Sequence, residues 1–178
     1  TERVARHPPS RLRWRFSNGF KLTLPSITIH SEVSIHSGDI EIRLICYDKG
    51  HSTSDLLVWF PTDGILVSGD LFFKDQVPIL KSSNRAAIGL QIQILDRILS
   101  YPVKIKCVVP GHNRVMSEGD LKRIRTYLHT LYKYGYGKDQ VAQKPKDWTL
   151  ELFPANEINL KIHRGNIEKI KSRLYRKK

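Results

Sequence analysis

Gly50-His51-Ser52-Thr53-Ser54-Asp55-Leu56-Leu57-Val58-Trp59-Phe60-Pro61, continued by Leu66-Val67-Ser68-Gly69-Asp70-Leu71-Phe72-Phe73, is the stretch that decides the fold. Two apolar runs, 56–60 and 65–68, are joined by Pro61-Thr62-Asp63-Gly64, which reads as a hairpin turn because each residue type favours chain reversal. The flanks carry the chemistry. His51 follows Gly50 ahead of the first run, and Asp70 follows Gly69 at the close of the second. A third position of the kind is His112, which follows Gly111 just after the strand-like run 104–109. A strand end is a rigid place from which to project a side chain, and glycine lets the backbone turn sharply beside it. Two imidazoles and one carboxylate are a donor set for a first-row metal. Read singly, a Gly-Asp at a strand end is often a turn, and a Gly-His often a loop.

Outward from this core, the residues before it form short β-type runs at 20–24, 27–29, 32–35 and 40–47. The last alternates Ile40, Ile42, Leu44 and Cys46 on one face, the pattern of a half-buried strand. From Ser83 the period becomes helical, with Ile88, Ile92, Leu95 and Leu99 spaced three to four apart and Asn84 as the candidate N-cap. Strand returns at 104–109 and stops at Pro110-Gly111. Ser117 then caps a helix with an apolar face of Leu121, Ile124, Leu128 and Leu131, ending at Gly135. Residues 138–153 show no clear period, and a last helix includes Ile167, Ile170 and Leu174. Residues 1–19, basic and broken by Pro8-Pro9 and Asn18-Gly19, read as a linker ahead of one domain at 20–178. Strands, a helix, a strand and further helices, without repeat or second core, predict an α/β or α+β domain with one sheet system.

Composition bounds the function. An apolar fraction of 40% and a charged fraction of 26% suit a globular chain, and no apolar run reaches the length of a membrane span. The net charge of +13 raises nucleic acid as a partner. The excess sits at the ends, however, in Arg3, Arg6, Arg11, Arg13 and Arg15, and in Lys169, Lys171, Arg173, Arg176, Lys177 and Lys178. Aromatic residues are not interleaved with these runs as base stacking requires, so a nucleic-acid partner is disfavoured. Cys46 and Cys107 lie in apolar runs, where buried thiols are common; a disulfide between them is left open, and with it the compartment, the cytoplasm being favoured. The chain begins with Thr rather than Met, the expectation for a processed or truncated product.

The hairpin stretch with its Gly-His and Gly-Asp ends resembles the central motif of the metallo-β-lactamase superfamily. Cys107-Val108-Val109-Pro110-Gly111-His112 is similar to the last metal motif of that family, and Met116-Ser117 with the helix through Tyr127-Leu128 also fits. The tail His163-Arg164-Gly165-Asn166-Ile167 is similar to the end of one bacterial branch, the SoxH-like or quinoprotein-relay-type hydrolases. The resemblance covers about residues 20 to 175. It implies a zinc hydrolase in which His51 serves one ion, His112 a second, and Asp70 bridges both as the catalytic carboxylate, with up to two zinc ions holding the attacking hydroxide. The substrate it implies is a small ester, thioester, lactam or phosphoester.

One departure qualifies this. The leading motif of the family, His-x-His-x-Asp-His, supplies the remaining ligands, and no His-x-His occurs in these 178 residues. The expectation is therefore half of an αββα sandwich: one mainly antiparallel sheet, helices on its outer face, and an apolar inner face that needs a partner. That partner is a missing N-terminal half or a second copy of the chain. The isolated chain is expected to be inactive. Rival readings are a catalytically dead scaffold or dimerisation module, and an RNA-processing relative; a glyoxalase-type thioesterase is disfavoured because Asn113 stands where an acidic residue is usual. Asp55 either orients His51 or caps a local turn. Lys74, Arg85, Asn113 and Arg114 are candidates to meet an anionic substrate. His7, His30, His36 and His129 read as surface residues, and Trp14, Trp59 and Trp148 as packing residues.

Overall fold

The computed structural model describes residues 23, 25–47, 50–52, 54–80, 85–136 and 149–175. The chain divides into two compact units, 1–30 and 31–178. In the first, the described residues 23 and 25–30 form neither helix nor strand. The expected strand at 27–29 is thus not formed, and Ile27 is exposed. The expected linker and most of the run at 20–24 lie outside the described residues, as do Trp14, Trp148 and His7.

In the second unit β1 (Glu32–Ser37), β2 (Ile40–Tyr47), β3 (Asp55–Phe60) and β4 (Ile65–Gly69) pair antiparallel in sequence order. β5 (Cys107–Pro110) adds parallel to β4, and the crossover this demands is α1 (Arg85–Leu99). α2 (Glu118–Tyr136), the short α3 (Thr149–Leu152) and α4 (Glu157–Tyr175) follow. α1 packs on α2, which in turn contacts α3 and α4. The expected α/β class, one mainly antiparallel sheet with flanking helices, is what the chain forms. Among the described residues, no helix is long and apolar enough to cross a membrane.

Local chemistry accounts for the helix limits. Ser117 and Asp120 form a reciprocal cap at the start of α2: the Asp120 amide donates to Ser117 Oγ (3.3 Å), and the Ser117 amide donates back to the Asp120 carboxylate (2.7 Å). Asn156 caps α4 by accepting from the Asn159 amide at 2.8 Å. The expected cap Asn84 lies outside the described residues. Trp59 is buried and stacks on Tyr101, as its reading as a packing residue requires.

The strand register separates two apolar faces. Ile45 pairs with Leu57, and Trp59 with Leu66, which pairs with Val108; all five are buried in one core with Ile88, Leu95, Leu121 and Leu128 of the helices. The opposite face carries a continuous row, Val33–Leu44–Val58–Val67–Val109, with one residue from each strand and none of them buried. Ile35, Ile40 and Leu56 on this face are 44%, 49% and 42% exposed. The alternation of Ile40, Ile42, Leu44 and Cys46 therefore marks the open face rather than the helix-covered one. The apolar sheet face expected of a half-sandwich is present.

Cys46 and Cys107 are not joined in a disulfide. β3 and β4 lie between their strands, a separation of about 14 Å at ~4.8 Å per strand, beyond the reach of a disulfide.

Candidate metal centre

Three loops converge at one edge of the sheet. His51 lies in the loop before β3, Asp70 just past β4, and His112 just past β5. Because β4 and β5 are parallel neighbours, their C-terminal ends lie side by side, and the Gly111 amide donates to the Gly69 carbonyl at 2.8 Å. Gly69 has φ of +51°, a left-handed conformation that turns the chain out of β4 and aims Asp70 along the edge. The glycines before the two histidines are required by close approach. A Cβ on Gly111 would stand 2.3 Å from Asp70 Oδ1, and one on Gly50 2.3 Å from Leu71 and 2.8 Å from Asp55 Oδ2.

Asp70 divides its oxygens between the two imidazoles. His112 Nε2 is 3.5 Å from Oδ1, and His51 Nε2 is 3.9 Å from Oδ2. Phe73 lies beside both rings: it meets His51 edge-on at 6.2 Å and stacks on His112 at 5.9 Å between centroids. The carboxylate is 41% exposed, His51 26% and His112 70%, so the edge stays open to solvent. Two donors on one tetrahedral zinc stand about 3.3–3.6 Å apart for bond lengths of 2.0–2.2 Å. The Asp70–His112 pair matches that spacing, and the Asp70–His51 pair is slightly wider. Donor chemistry and spacing fit two half-sites that share one carboxylate. Among the described residues, no group of three or more His, Cys, Asp or Glu side chains is arranged to hold an ion.

The neighbouring polar residues have structural assignments. Asp55 accepts from the Ser52 amide at 3.0 Å and from Ser52 Oγ at 2.8 Å, so it closes the local turn. Lys74 is paired with the Asp120 carboxylate at 2.7 and 2.8 Å, and Arg114 with Asp75 at 3.2 Å. Asn113, at φ of +69°, donates to Gln76 at 3.4 Å. The Arg85 side chain lies outside the described residues. Beside the donors is a pocket of about 20 Å³ lined by His51, Asp70, Phe73, Gln76, Ile79 and Gln91, room for one or two waters rather than a substrate.

Several residues that build this edge carried no sequence signal. Gln91 of α1 donates to the Gly50 carbonyl at 3.1 Å and holds the His51 loop. Asn159 and Asn166, two turns apart on α4, bind segment 75–80 as a paired strand would. Asn159 accepts from the Val77 amide (2.9 Å) and donates to the Asp75 carbonyl (2.9 Å). Asn166 accepts from the Leu80 amide (3.2 Å) and donates to the Pro78 carbonyl (2.8 Å) and to Tyr127 Oη (3.1 Å). The Tyr127 hydroxyl also meets His163 Nδ1 at 3.1 Å, and burial pushes the Tyr127 phenol well above its ordinary range. Asp120 was missed as well, although the Ser-x-x-Asp spacing from Ser117 is the signal of a capping box.

No family model matches the chain. It is 31% identical over 71 residues to the type 2 metallo-β-lactamase of Bacteroides fragilis, across 39% of this chain and 28% of that enzyme. To the type 2 metallo-β-lactamase of Bacillus cereus it is 27% identical over 114 residues, across 64% of this chain and 41% of that enzyme. A solved metallo-β-lactamase from Pontibacter korlensis superposes with a TM-score of 0.49 at 24% identity, covering 72% of this chain and 61% of that one. The chain thus spans less than half the length of the two curated relatives it matches, and over that span the similarity supports a metallo-β-lactamase-superfamily fold.

Proposed function

We propose that the chain supplies one side of the active site of a zinc-dependent hydrolase, and that the site is complete only when a second ligand-bearing layer covers the open sheet face. The observation that carries this is the division of Asp70 between His51 and His112, at 3.9 and 3.5 Å. His51 and Asp70 would hold one ion, and His112 and Asp70 the other. Zinc bound there would lower the pKa of its water to about 7 and would act as a Lewis acid for the scissile carbonyl or phosphoryl oxygen. The residues of this chain do the positioning. The Asp70 carboxylate would offset part of the charge of bound ions, Phe73 flanks both imidazoles, and Gly111 leaves room for the carboxylate. The substrate class is a small ester, thioester, lactam or phosphoester. We propose affiliation with the SoxH-like branch on the tail around His163; in that tail His163 and Asn166 are buried partners of Tyr127, which gives it a structural role.

The test is zinc content and hydrolysis of an ester, thioester and lactam reporter panel by the assembled protein, with Asp70→Ala as the matched variant. Two zinc ions per complete site and turnover that the variant loses support the reading. An assembled protein that folds, excludes zinc and leaves every reporter intact overturns it in favour of a scaffold.

A further inference from the structure

The structure assigns Asn159 and Asn166 of α4 as positioning residues for the pocket wall beside His51 and Asp70: Asn159 sets Gln76, and Asn166 sets Ile79. Each side chain is buried, and each ties the backbone on both sides of one residue. Asn159 donates to the Asp75 carbonyl and accepts from the Val77 amide, both at 2.9 Å, so it brackets Gln76. Asn166 donates to the Pro78 carbonyl at 2.8 Å and accepts from the Leu80 amide at 3.2 Å, so it brackets Ile79. A peptide unit is planar, so φ and ψ of a residue are the rotations between the plane before it and the plane after it. Tying both planes to one rigid carboxamide fixes both angles.

Neither carboxamide can turn over without loss. The second N–H of Asn159 donates to the Pro154 carbonyl at 2.9 Å, and that of Asn166 to Tyr127 Oη at 3.1 Å. A flipped amide would set oxygen against carbonyl oxygen and NH2 against amide N–H, leaving buried polar groups unpaired. Lys169 Nζ adds a bond to the Leu80 carbonyl at 2.8 Å, at the end of the segment.

The residues so fixed are those that core packing does not hold. Val77 and Leu80 are buried in the core. Gln76 is half-buried and Ile79 is exposed, and both line the pocket with His51 and Asp70. Gln76 also accepts from the side chain of Asn113, the residue after His112, at 3.4 Å. α4 therefore shapes the wall that a substrate would meet: an apolar contact at Ile79 beside a carboxamide at Gln76. The place of a substrate there rests on the function proposed above; the bracketing does not.

The experiment uses the full chain without zinc, isotope-labelled for NMR. In the wild type, scalar couplings through the hydrogen bonds should connect the Val77 amide to the Asn159 side-chain carbonyl, and the Leu80 amide to that of Asn166. This arm needs no variant to fold. Asn159→Ala should raise the ratio of Val77 to Leu80 amide exchange about 10–100-fold, and Asn166→Ala should lower it by as much. The ratio cancels any general loss of stability. Asn159→Ala should also shift the side-chain amides of Gln76 and Asn113, and Asn166→Ala the methyl groups of Ile79. Absence of the two couplings overturns the inference, and so does an exchange ratio or a pattern of shifts that both variants move alike. Zinc content and reporter turnover of the assembled protein test the hydrolase reading separately; their failure removes the substrate from the wall and leaves the bracketing standing.

Discussion

Removing the Asp120 carboxylate tests the support beneath the site. Asp120 is 3% exposed, and its oxygens accept from Lys74 Nζ at 2.7 and 2.8 Å, from the Ser117 amide at 2.7 Å, from Ser117 Oγ at 2.9 Å, and from Arg123. It thereby ties the loop that follows Asp70 to the first turn of α2. In Asp120→Ala the capping box is lost, at about 1 kcal/mol. The Ser117 amide and the half-buried Lys74 ammonium also lose an ionised acceptor, an effect of about 1.5–3 kcal/mol per charge-assisted bond. Lys74 and Arg123 are 23% and 45% exposed and can rehydrate, which discounts their share. The expected loss is about 3 kcal/mol in urea unfolding followed by circular dichroism, with a fall in Tm of about 6–12 °C for a domain of this size. Asp120→Asn retains the shape and one acceptor oxygen, and should lose about half as much. An Asp120→Ala protein within about 0.5 kcal/mol of wild type would refute the reasoning, because it would show that water replaces the carboxylate at no cost.

Gly111→Ala puts a methyl 2.3 Å from Asp70 Oδ1, so the oxygen must retreat by about 1 Å, twice the tolerance of about 0.5 Å for a donor set. Zinc affinity of the assembled protein, read by competition with a chelator, should fall about 10–100-fold while unfolding free energy changes by about 1 kcal/mol; unchanged affinity would contradict the placement. Asn166→Ala removes a buried partner of the Leu80 amide and the Pro78 carbonyl. It should cost about 2–4 kcal/mol and raise hydrogen exchange at Leu80 well above that at core strand amides. Burial raises the Tyr127 phenol in the folded chain, so the unfolded chain releases that proton first. Stability from this group is complete below pH 10 and falls above it by up to about 1.4 kcal/mol per pH unit. Phenolate absorbance during alkaline unfolding should show Tyr127 ionising only with the transition, and ionisation within the folded baseline would contradict its burial.

What the sequence by itself determined was local. A turn of Pro, Asp and Gly between apolar runs predicts the β3–β4 hairpin, and glycine before His51, Asp70 and His112 marks three exits at strand ends. The structure brings those three side chains to one edge, with Asp70 within 4 Å of both imidazoles. Neighbours in sequence were enough to mark the three exits, because strand alternation and turn chemistry act over a few residues; bringing His112 beside Asp70 took the parallel pairing of β5 with β4. Phe73 between the histidines, the Gln91 contact to Gly50 and the α4 asparagines on segment 75–80 were decided only by tertiary structure. Gln91 acts across 41 residues, and Asn159 and Asn166 across more than 80. An asparagine that satisfies a distant backbone has no local signature. The sharpest case is β2. Its alternation identifies Ile40, Ile42, Leu44 and Cys46 as one apolar face, but the helices of this chain cover the other, burying Ile45. Period-two patterning tells which side chains share a face. Which of the two faces meets the helices depends on the crossover between β4 and β5, a long-range choice that alternation does not encode.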